Sequence, residues 1–250
     1  MSTREQEYTT RVQIARCAFA ELMTKYFPEG AARDAYIRYL QFQYHLTCGV
    51  QEYFLAIAAS SRLRPYRRLR AFLVDFAYEE EKHYLLAGKD LAALGASPGE
   101  EPLDVALWHA YFRPVTRFRP FERLGAALIL ESIAGGQAAA SVSKALSAPF
   151  LSRENTRFLV LHRHEAIPHG EQVMDAILSA NLSAEDHRSV IRGAAVGTTL
   201  YMRMATWAAD PTAFCCDIPA LLVEGSKRRE EEIAAFDPLE LAAEEAWLPA

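Results

Sequence analysis

Apolar residues recur at helical spacing along most of this 250-residue chain, and this repeat limits its fold more than any other feature. No segment alternates apolar and polar residues over a strand's length, and neither Asn-Gly nor Asp-Gly occurs. The pattern predicts seven helices, over residues 4–26, 31–60, 65–94, 103–112, 121–147, 153–181 and 184–208. Several of these are near 30 residues long, so we expect an all-α bundle around a central site.

The predicted helix ends follow local signals. The sequence FPEG, residues 27–30, closes the first helix, and Gly95 closes the third. Ser183, with Asp186 three residues later, begins the seventh in the manner of a capping box with a shorter acid.

The composition fits a single helical domain. Apolar residues make up 51% of the chain, which is enough to bury a sizeable core. No run of about 18 uninterrupted apolar residues predicts a transmembrane helix, and the N-terminal MSTREQEYTT lacks the apolar core of a signal peptide. A net charge of −5 gives no sign of nucleic-acid binding, and the four cysteines form no metal-type pair. We therefore expect a cytoplasmic protein that binds neither nucleic acid nor a membrane.

The acidic charge is concentrated at the C-terminal end. Residues 218–250 hold eight acidic and three basic residues, a net charge of −5, so residues 1–217 sum to about zero. We predict one helical domain over residues 1–217. The acidic tail over residues 218–250 either docks as a short helix or is partly disordered.

Two segments contain carboxylates that are candidate metal ligands. Glu131 lies in AALILESIA, where an ionised carboxylate costs several kcal/mol unless it pairs with a buried Arg or Tyr or binds a metal. His83 follows Glu80 by three residues and Glu79 by four, and Glu-x-x-His is the spacing of di-iron bundles. The alternative for this second segment is a solvated run of ordinary helix ion pairs.

A third segment supplies imidazoles. His162 and His169 are seven residues apart and share a helical face, on which Glu165 nearly lies, while Pro168 should kink the helix near His164. Neutral imidazoles are common ligands of iron and zinc, although two core histidines bonded to carbonyl groups would give the same pattern. Together the three segments offer oxygen and nitrogen ligands without thiolate, a set that suits iron or manganese better than structural zinc.

These segments also resemble a known superfamily. The sequence LGAALILESIAGGQ, residues 124–137, is similar to the "LG-apolar-E-x-x-x-GGQ" helix of the haem-oxygenase-like fold, where paired glycines let the backbone approach a flat haem. The stretch from HYLL at residue 83 to the LG at residues 94–95 resembles another shared segment. The helical resemblance covers most of residues 5–210, and it implies a haem-oxygenase-like bundle with a central metal site.

Two branches of that superfamily compete. The haem branch needs an axial histidine on the first helix, but residues 4–26 contain none, and His45 is the only early substitute. The resemblance therefore favours the branch of di-iron oxidases and oxygenases. It implies an iron site, of two ions or of one, with these ligands: Glu80, His83, Glu131, His162 and His169.

Two departures from the branch leave the number of ions open. Ala166 stands where the His-x3-Asp-x2-His triplet has its aspartate, and Phe76 stands where some relatives carry the first carboxylate. Glu165 is the nearest replacement for the missing aspartate. A mono-iron, a di-iron or a degenerate, metal-free site are all consistent with the sequence.

The resemblance implies an enzyme that activates O2 and oxidises a small organic molecule such as an amino acid, an amine or a fatty acid. Glu131 and Glu165 are the expected catalytic residues, and Tyr44, His45 and Tyr78 are expected to line the substrate site. A homodimer and an electron-donor protein are the expected protein partners. The alternatives are a haem oxygenase that uses His45, a cofactor-free enzyme, and a non-catalytic relative of the fold.

Overall fold

A computed structural model describes residues 2–136, 138–161 and 168–213, which contain α-helices and no β-strand. The all-α prediction is therefore confirmed for this part of the chain. The helices are α1 (Thr3–Tyr26), α2 (Arg33–Thr47), α3 (Val50–Ala59), α4 (Arg67–Glu80), α5 (His83–Ala93), α6 (Leu103–Phe118), α7 (Pro120–Ser132), α8 (Ala138–Ala145), α9 (Arg157–Leu161), α10 (His169–Ser179) and α11 (Ala184–Ala209). A short 3-10 helix at Ser61–Leu63 precedes α4.

The long helices of the sequence prediction are wrong, because four of the seven are each divided in two. Gly49, at φ 77°, separates α2 from α3, and Gly136, at φ 56°, follows the end of α7. Pro168 is extended and precedes α10, which suits a residue that has no backbone donor. The break between α4 and α5 falls at Glu81 and Lys82, where the sequence carries no breaking signal.

Other helix ends agree with the sequence. The Ser183 side chain accepts a hydrogen bond from the backbone N–H of Asp186 at the start of α11, over 3.1 Å. Gly95, at φ 66°, follows α5 as predicted. The kink expected near His164 lies outside the described residues.

Helix α7 forms the centre of the described bundle. Eleven of its thirteen residues are buried, which is typical of a helix surrounded by others. Helix α11 lies against it at backbone contact distance. A Cβ added at Gly193 would overlap the carbonyl group of Glu122, and one added at Gly125 would overlap that of Val190. Glycines on both helices therefore set this close approach.

Two further contacts fix the C-terminal end of α7. Gly170, in the first turn of α10, lies so close that a Cβ there would be 2.8 Å from the backbone oxygen of Glu131. From α1, the Nε of Arg16 donates a hydrogen bond to the backbone oxygen of Ser132 over 2.9 Å. The bundle thus gathers α1, α7 and α10 at one place.

All described helices lie in the first of two units of the chain, Met1–Asp210. Of the second unit, Pro211–Ala250, the structure describes only residues 211–213. The domain boundary after residue 217 and the acidic tail over 218–250 therefore stay predictions. None of the described helices has the length and apolar character needed to cross a bilayer.

Candidate metal centre

Three of the predicted ligands come together at the end of α7. Glu80, Glu131 and His169 each place one ligand atom within 4.8 Å of the other two, and we call this group the ligand cluster. The Nδ1 of His169 is 2.9 Å from Oε1 of Glu80 and 3.5 Å from Oε2 of Glu131. Carboxylate and imidazole groups bind transition metals at about 2.0–2.2 Å, so atoms this close fit around one ion.

Every residue of the ligand cluster stands at a helix end. Glu80 is the last residue of α4, Glu131 is the next to last of α7, and His169 is the first of α10. The divisions that the sequence prediction missed are therefore what bring the three side chains to one point.

The electrostatics of the ligand cluster favour a positive charge. Burial opposes the ionised form of Glu80, which is 3% exposed, but hydrogen bonds from His169 and His83 hold the pKa of Glu80 below its ordinary value. Burial likewise disfavours the charged imidazole, yet Glu131 and Glu80 raise the pKa of His169 well above its ordinary value. A buried and a half-buried carboxylate beside one imidazole are a donor set that fits a divalent metal ion.

The structure distinguishes between the two acids near His83. Nδ1 of His83 donates a hydrogen bond to Oε2 of Glu80 over 2.7 Å, and its ring stacks on that of His169 with centroids 6.0 Å apart. The Glu79 side chain is 54% exposed, with its Oε2 3.6 Å from Nε2 of His169. Glu80 is therefore the buried carboxylate. His83 is buried against it without belonging to the three-residue ligand cluster, so its role as a ligand stays a prediction.

The predicted ligand His162 and the predicted catalytic residue Glu165 lie outside the described residues, as does Ala166, which stands at the position of the missing aspartate. Phe76, at the alternative carboxylate position, is 1% exposed and contacts the His169 ring edge-on at a centroid distance of 4.8 Å. An apolar ring thus shields that side of the imidazole.

A cavity of about 340 Å³ adjoins the ligand cluster, and all three residues of the cluster line the wall of this cavity. This volume lies at the lower end of the range of small-molecule sites, about 300–1,000 Å³. Apolar side chains form much of the remaining wall. The polar lining residues include Arg16, Gln43 and Tyr201, and Gln43 Nε2 donates a hydrogen bond to the Tyr201 hydroxyl over 3.1 Å.

None of the predicted substrate contacts Tyr44, His45 and Tyr78 is among the described residues that line this cavity, so their role in substrate binding stays a prediction. Tyr44 packs edge-on against Tyr84, and the Tyr78 side chain lies at the surface, 80% exposed. Successive residues of a helix are about 100° apart, so Gln43 on α2 faces the cavity and Tyr44 does not.

His45 is also poorly placed to be an axial haem ligand. Its Nε2 lies 3.3 Å and 3.2 Å from the carbonyl oxygens of Pro98 and Gly99, which can only accept a hydrogen bond. That nitrogen therefore carries the proton. In addition, Arg16 covers the paired glycines, since a Cβ added at Gly136 would be 2.8 Å from its Nη1. The space beside this glycine pair holds a guanidinium group.

Sequence reasoning missed Arg16, Tyr39, Gln43 and Tyr201. Tyr39 and Gln43 carry a weak signal, because they lie four residues apart on a helix face that continues with buried Leu46. No sequence signal marks Arg16, since a single arginine in an amphipathic helix is ordinary.

Residues 37–202, more than half of the chain, match the model of a family described as iron-containing redox enzymes. The chain belongs to this family. The matched range includes every residue of the ligand cluster, and iron agrees with the two carboxylates and one imidazole found there. No curated protein matches the sequence.

The fold of this iron-containing redox enzyme is similar to a solved one. A crystal structure of a domain of unknown function with a haem oxygenase-like fold, from Shewanella denitrificans OS217, superposes with a TM-score of 0.69. The two are 20% identical, and the match covers 82% of this chain and 89% of that chain. The predicted haem-oxygenase-like fold is therefore confirmed.

Gly170 provides a direct test of how the iron-containing redox enzyme positions His169. A Cβ in Gly170→Ala would press on the backbone of Glu131 and on Ser132, so α10 would have to move away from α7. We expect Fe(II) affinity to fall by about tenfold or more, because the imidazole is displaced while the helices persist. Titration with Fe(II) and far-UV circular dichroism measure the two effects.

The matched control is Gly88→Ala in α5, where the nearest obstacle is the Tyr44 ring at 3.3 Å. This substitution should leave Fe(II) affinity unchanged. Equal affinities of the Gly170 and Gly88 variants would show that the contact of α10 with α7 does not set the geometry of the metal site.

Proposed function

We propose that this iron-containing redox enzyme is a non-haem oxidase or oxygenase that activates O2 and oxidises a small organic substrate. The observation that carries the proposal is the ligand cluster of Glu80, Glu131 and His169 in the wall of a cavity of about 340 Å³. Three protein ligands leave coordination positions open, and mixed imidazole and carboxylate sites with open positions are typical of non-haem iron oxygenases.

When bound, iron supplies the redox chemistry that O2 requires and that amino-acid side chains lack. Glu80 and Glu131 balance the charge of the ion, and His169 supplies nitrogen donation. His83 orients Glu80, because its Nδ1–H donates to Oε2 of that carboxylate over 2.7 Å. Phe76 excludes water from one side of the His169 ring.

The polar pair Gln43 and Tyr201 faces the same cavity and can orient a polar group of the substrate. Burial raises the pKa of Tyr201 well above its ordinary value, so its hydroxyl group stays protonated. The remaining lining is mainly apolar, which favours an organic substrate over a small inorganic one.

The proposal extends to two iron ions for each chain. Glu80, Glu131 and His169 would then hold the ions together with His83 and His162. Glu165 would substitute for the aspartate whose position Ala166 occupies, and it would act with Glu131 in catalysis. Support comes from the Glu-x-x-His spacing of Glu80 and His83 and from the resemblance to di-iron oxidases.

Anaerobic reconstitution with Fe(II) tests the proposal. We expect two ions for each chain after removal of loosely held metal, and stoichiometric O2 consumption with a change in the optical spectrum when O2 is admitted. Retention of one ion for each chain would contradict the extension to two ions but would be consistent with the oxidase proposal. No retained iron, or retained iron that is inert to O2, would contradict the proposal as a whole.

A further inference from the structure

Arg16 is the cationic side chain that stands out in the wall of the cavity beside the ligand cluster. Among the described lining residues no other arginine and no lysine occurs. The side chain reaches this place from α1, and Ser132, whose backbone oxygen accepts from its Nε, directly follows the cluster residue Glu131. A fixed positive charge therefore lies close to the proposed iron site.

We propose that Arg16 binds a carboxylate group of the substrate, so that the substrate is an organic acid with an apolar chain. This inference rests on the proposed function, whose substrate class it names. The guanidinium group is planar and carries donors in a fork that matches the two oxygens of a carboxylate.

The surroundings of Arg16 leave the outer part of its fork available. Nε is engaged by Ser132, but within residues 2–136, 138–161 and 168–213 neither Nη atom has a hydrogen-bond partner. Gly135 and Gly136 lie under the guanidinium group. A Cβ added at Gly135 would be 3.2 Å from Nη2 of Arg16, and one added at Gly136 would be 2.8 Å from Nη1. Because these glycines have no side chains, the group is held against backbone.

An apolar chamber next to this cavity can receive the rest of the molecule. It has a volume of about 60 Å³, and its wall includes Phe19, Leu22 and Met23. Five residues line both the chamber and the larger cavity: Tyr39, Ala134, Val142, Leu146 and Leu159. A ligand with a charged end and an apolar end matches a wall with one cation and an apolar extension.

Glu171 distinguishes between two kinds of organic acid. It lines the same cavity and its negative charge acts on Arg16, although the pair is too far apart for an ion pair among the described residues. A simple fatty acid would use Arg16 alone. An α-amino acid would place its carboxylate at Arg16 and its ammonium group near Glu171.

Three ligands of matched length test the inference on the full chain: octanoate, its methyl ester and 2-aminooctanoate. Calorimetry on the metal-free protein should show octanoate binding about tenfold or more tightly than the ester, since the ester cannot form the charge-assisted bonds. Arg16→Met should remove this difference, and Arg16→Lys should keep part of it. Arg11→Met, which removes a cation outside the cavity lining on the same helix, should leave the difference unchanged.

The result that would overturn the inference is equal binding of octanoate and ester by the unaltered chain, a comparison that needs no variant to fold. An undiminished preference in Arg16→Met would overturn it as well. Tighter binding of 2-aminooctanoate that Glu171→Gln abolishes would support the inference and indicate an amino acid. Tighter binding of octanoate would support it and indicate a fatty acid.

Failure of this inference differs from failure of the proposed function. Arg16 is not a metal ligand, so iron retention and O2 consumption should be the same in Arg16→Met as in the unaltered chain. If the unaltered chain retained iron and consumed O2 but bound octanoate and the ester equally, the role of Arg16 would be refuted and the proposed function would stand.

Discussion

Glutamine in place of Glu80 is expected to lower Fe(II) affinity by about 100-fold or more and to abolish O2 consumption. The substitution keeps the shape of the side chain but removes the charge of the most buried acid in the ligand cluster, which is 3% exposed. Residues that only support a metal ligand change affinity by about 10–100-fold, so a direct ligand should exceed that range. Competition titrations with a chromophoric chelator give the affinity.

The matched control for this prediction is one residue away. Glu81→Gln removes the same charge from an exposed side chain beyond the end of α4 and should leave Fe(II) affinity unchanged. If the Glu80 and Glu81 variants lose affinity equally, the effect is one of general surface charge. In that case the buried acid at the end of α4 is no ligand, and the proposed function loses its main support.

The second large effect is expected at Gly193, where alanine should destabilise the fold by about 3 kcal/mol or more. Its Cβ would overlap the backbone of Glu122, and neither helix can relieve the overlap by rotating a side chain. Inserting extra atoms into a packed core costs about 1–3 kcal/mol, and occasionally more when backbone must shift. Equilibrium unfolding in urea measures the change in the free energy of unfolding.

A graded series makes this prediction sharper. Alanine at Gly197 should destabilise less than at Gly193, because its Cβ would lie 2.9 Å from the Cα of Ala126. Alanine at Gly88 should have the smallest effect, since its nearest obstacle is the end of an aromatic side chain at 3.3 Å. Any other order would show that α7 and α11 can separate at little cost.

The sequence identified the chemistry of the site better than its shape. Glu131 stands out in an apolar segment because a buried charge needs a partner, and Glu80 with His83 stands out by spacing. Those signals are local, and the structure brings Glu80, Glu131 and His169 together. His162 was predicted with the same reasoning and lies outside the described residues.

Features that depend on distant contacts could not be predicted. Helical spacing continues across residues 80–83, so the pattern gave one long helix where the structure has α4 and α5. The lining role of Arg16 depends on α1 crossing the end of α7, which a single sequence does not reveal. Whether Gln43 or Tyr44 faces the cavity depends on the rotation of α2 about its own axis, and packing against several other helices fixes that rotation.

The location of the ligand cluster at three helix ends affects how a metal ion would be released. Terminal turns open far more often than the middle of a buried helix, with no need for the whole fold to come apart. A chelator should therefore strip the ion through brief fraying of these turns while the glycine-lined contact of α7 with α11 stays intact. Conversely, a bound ion would tie α4, α7 and α10 together and slow hydrogen exchange at their ends.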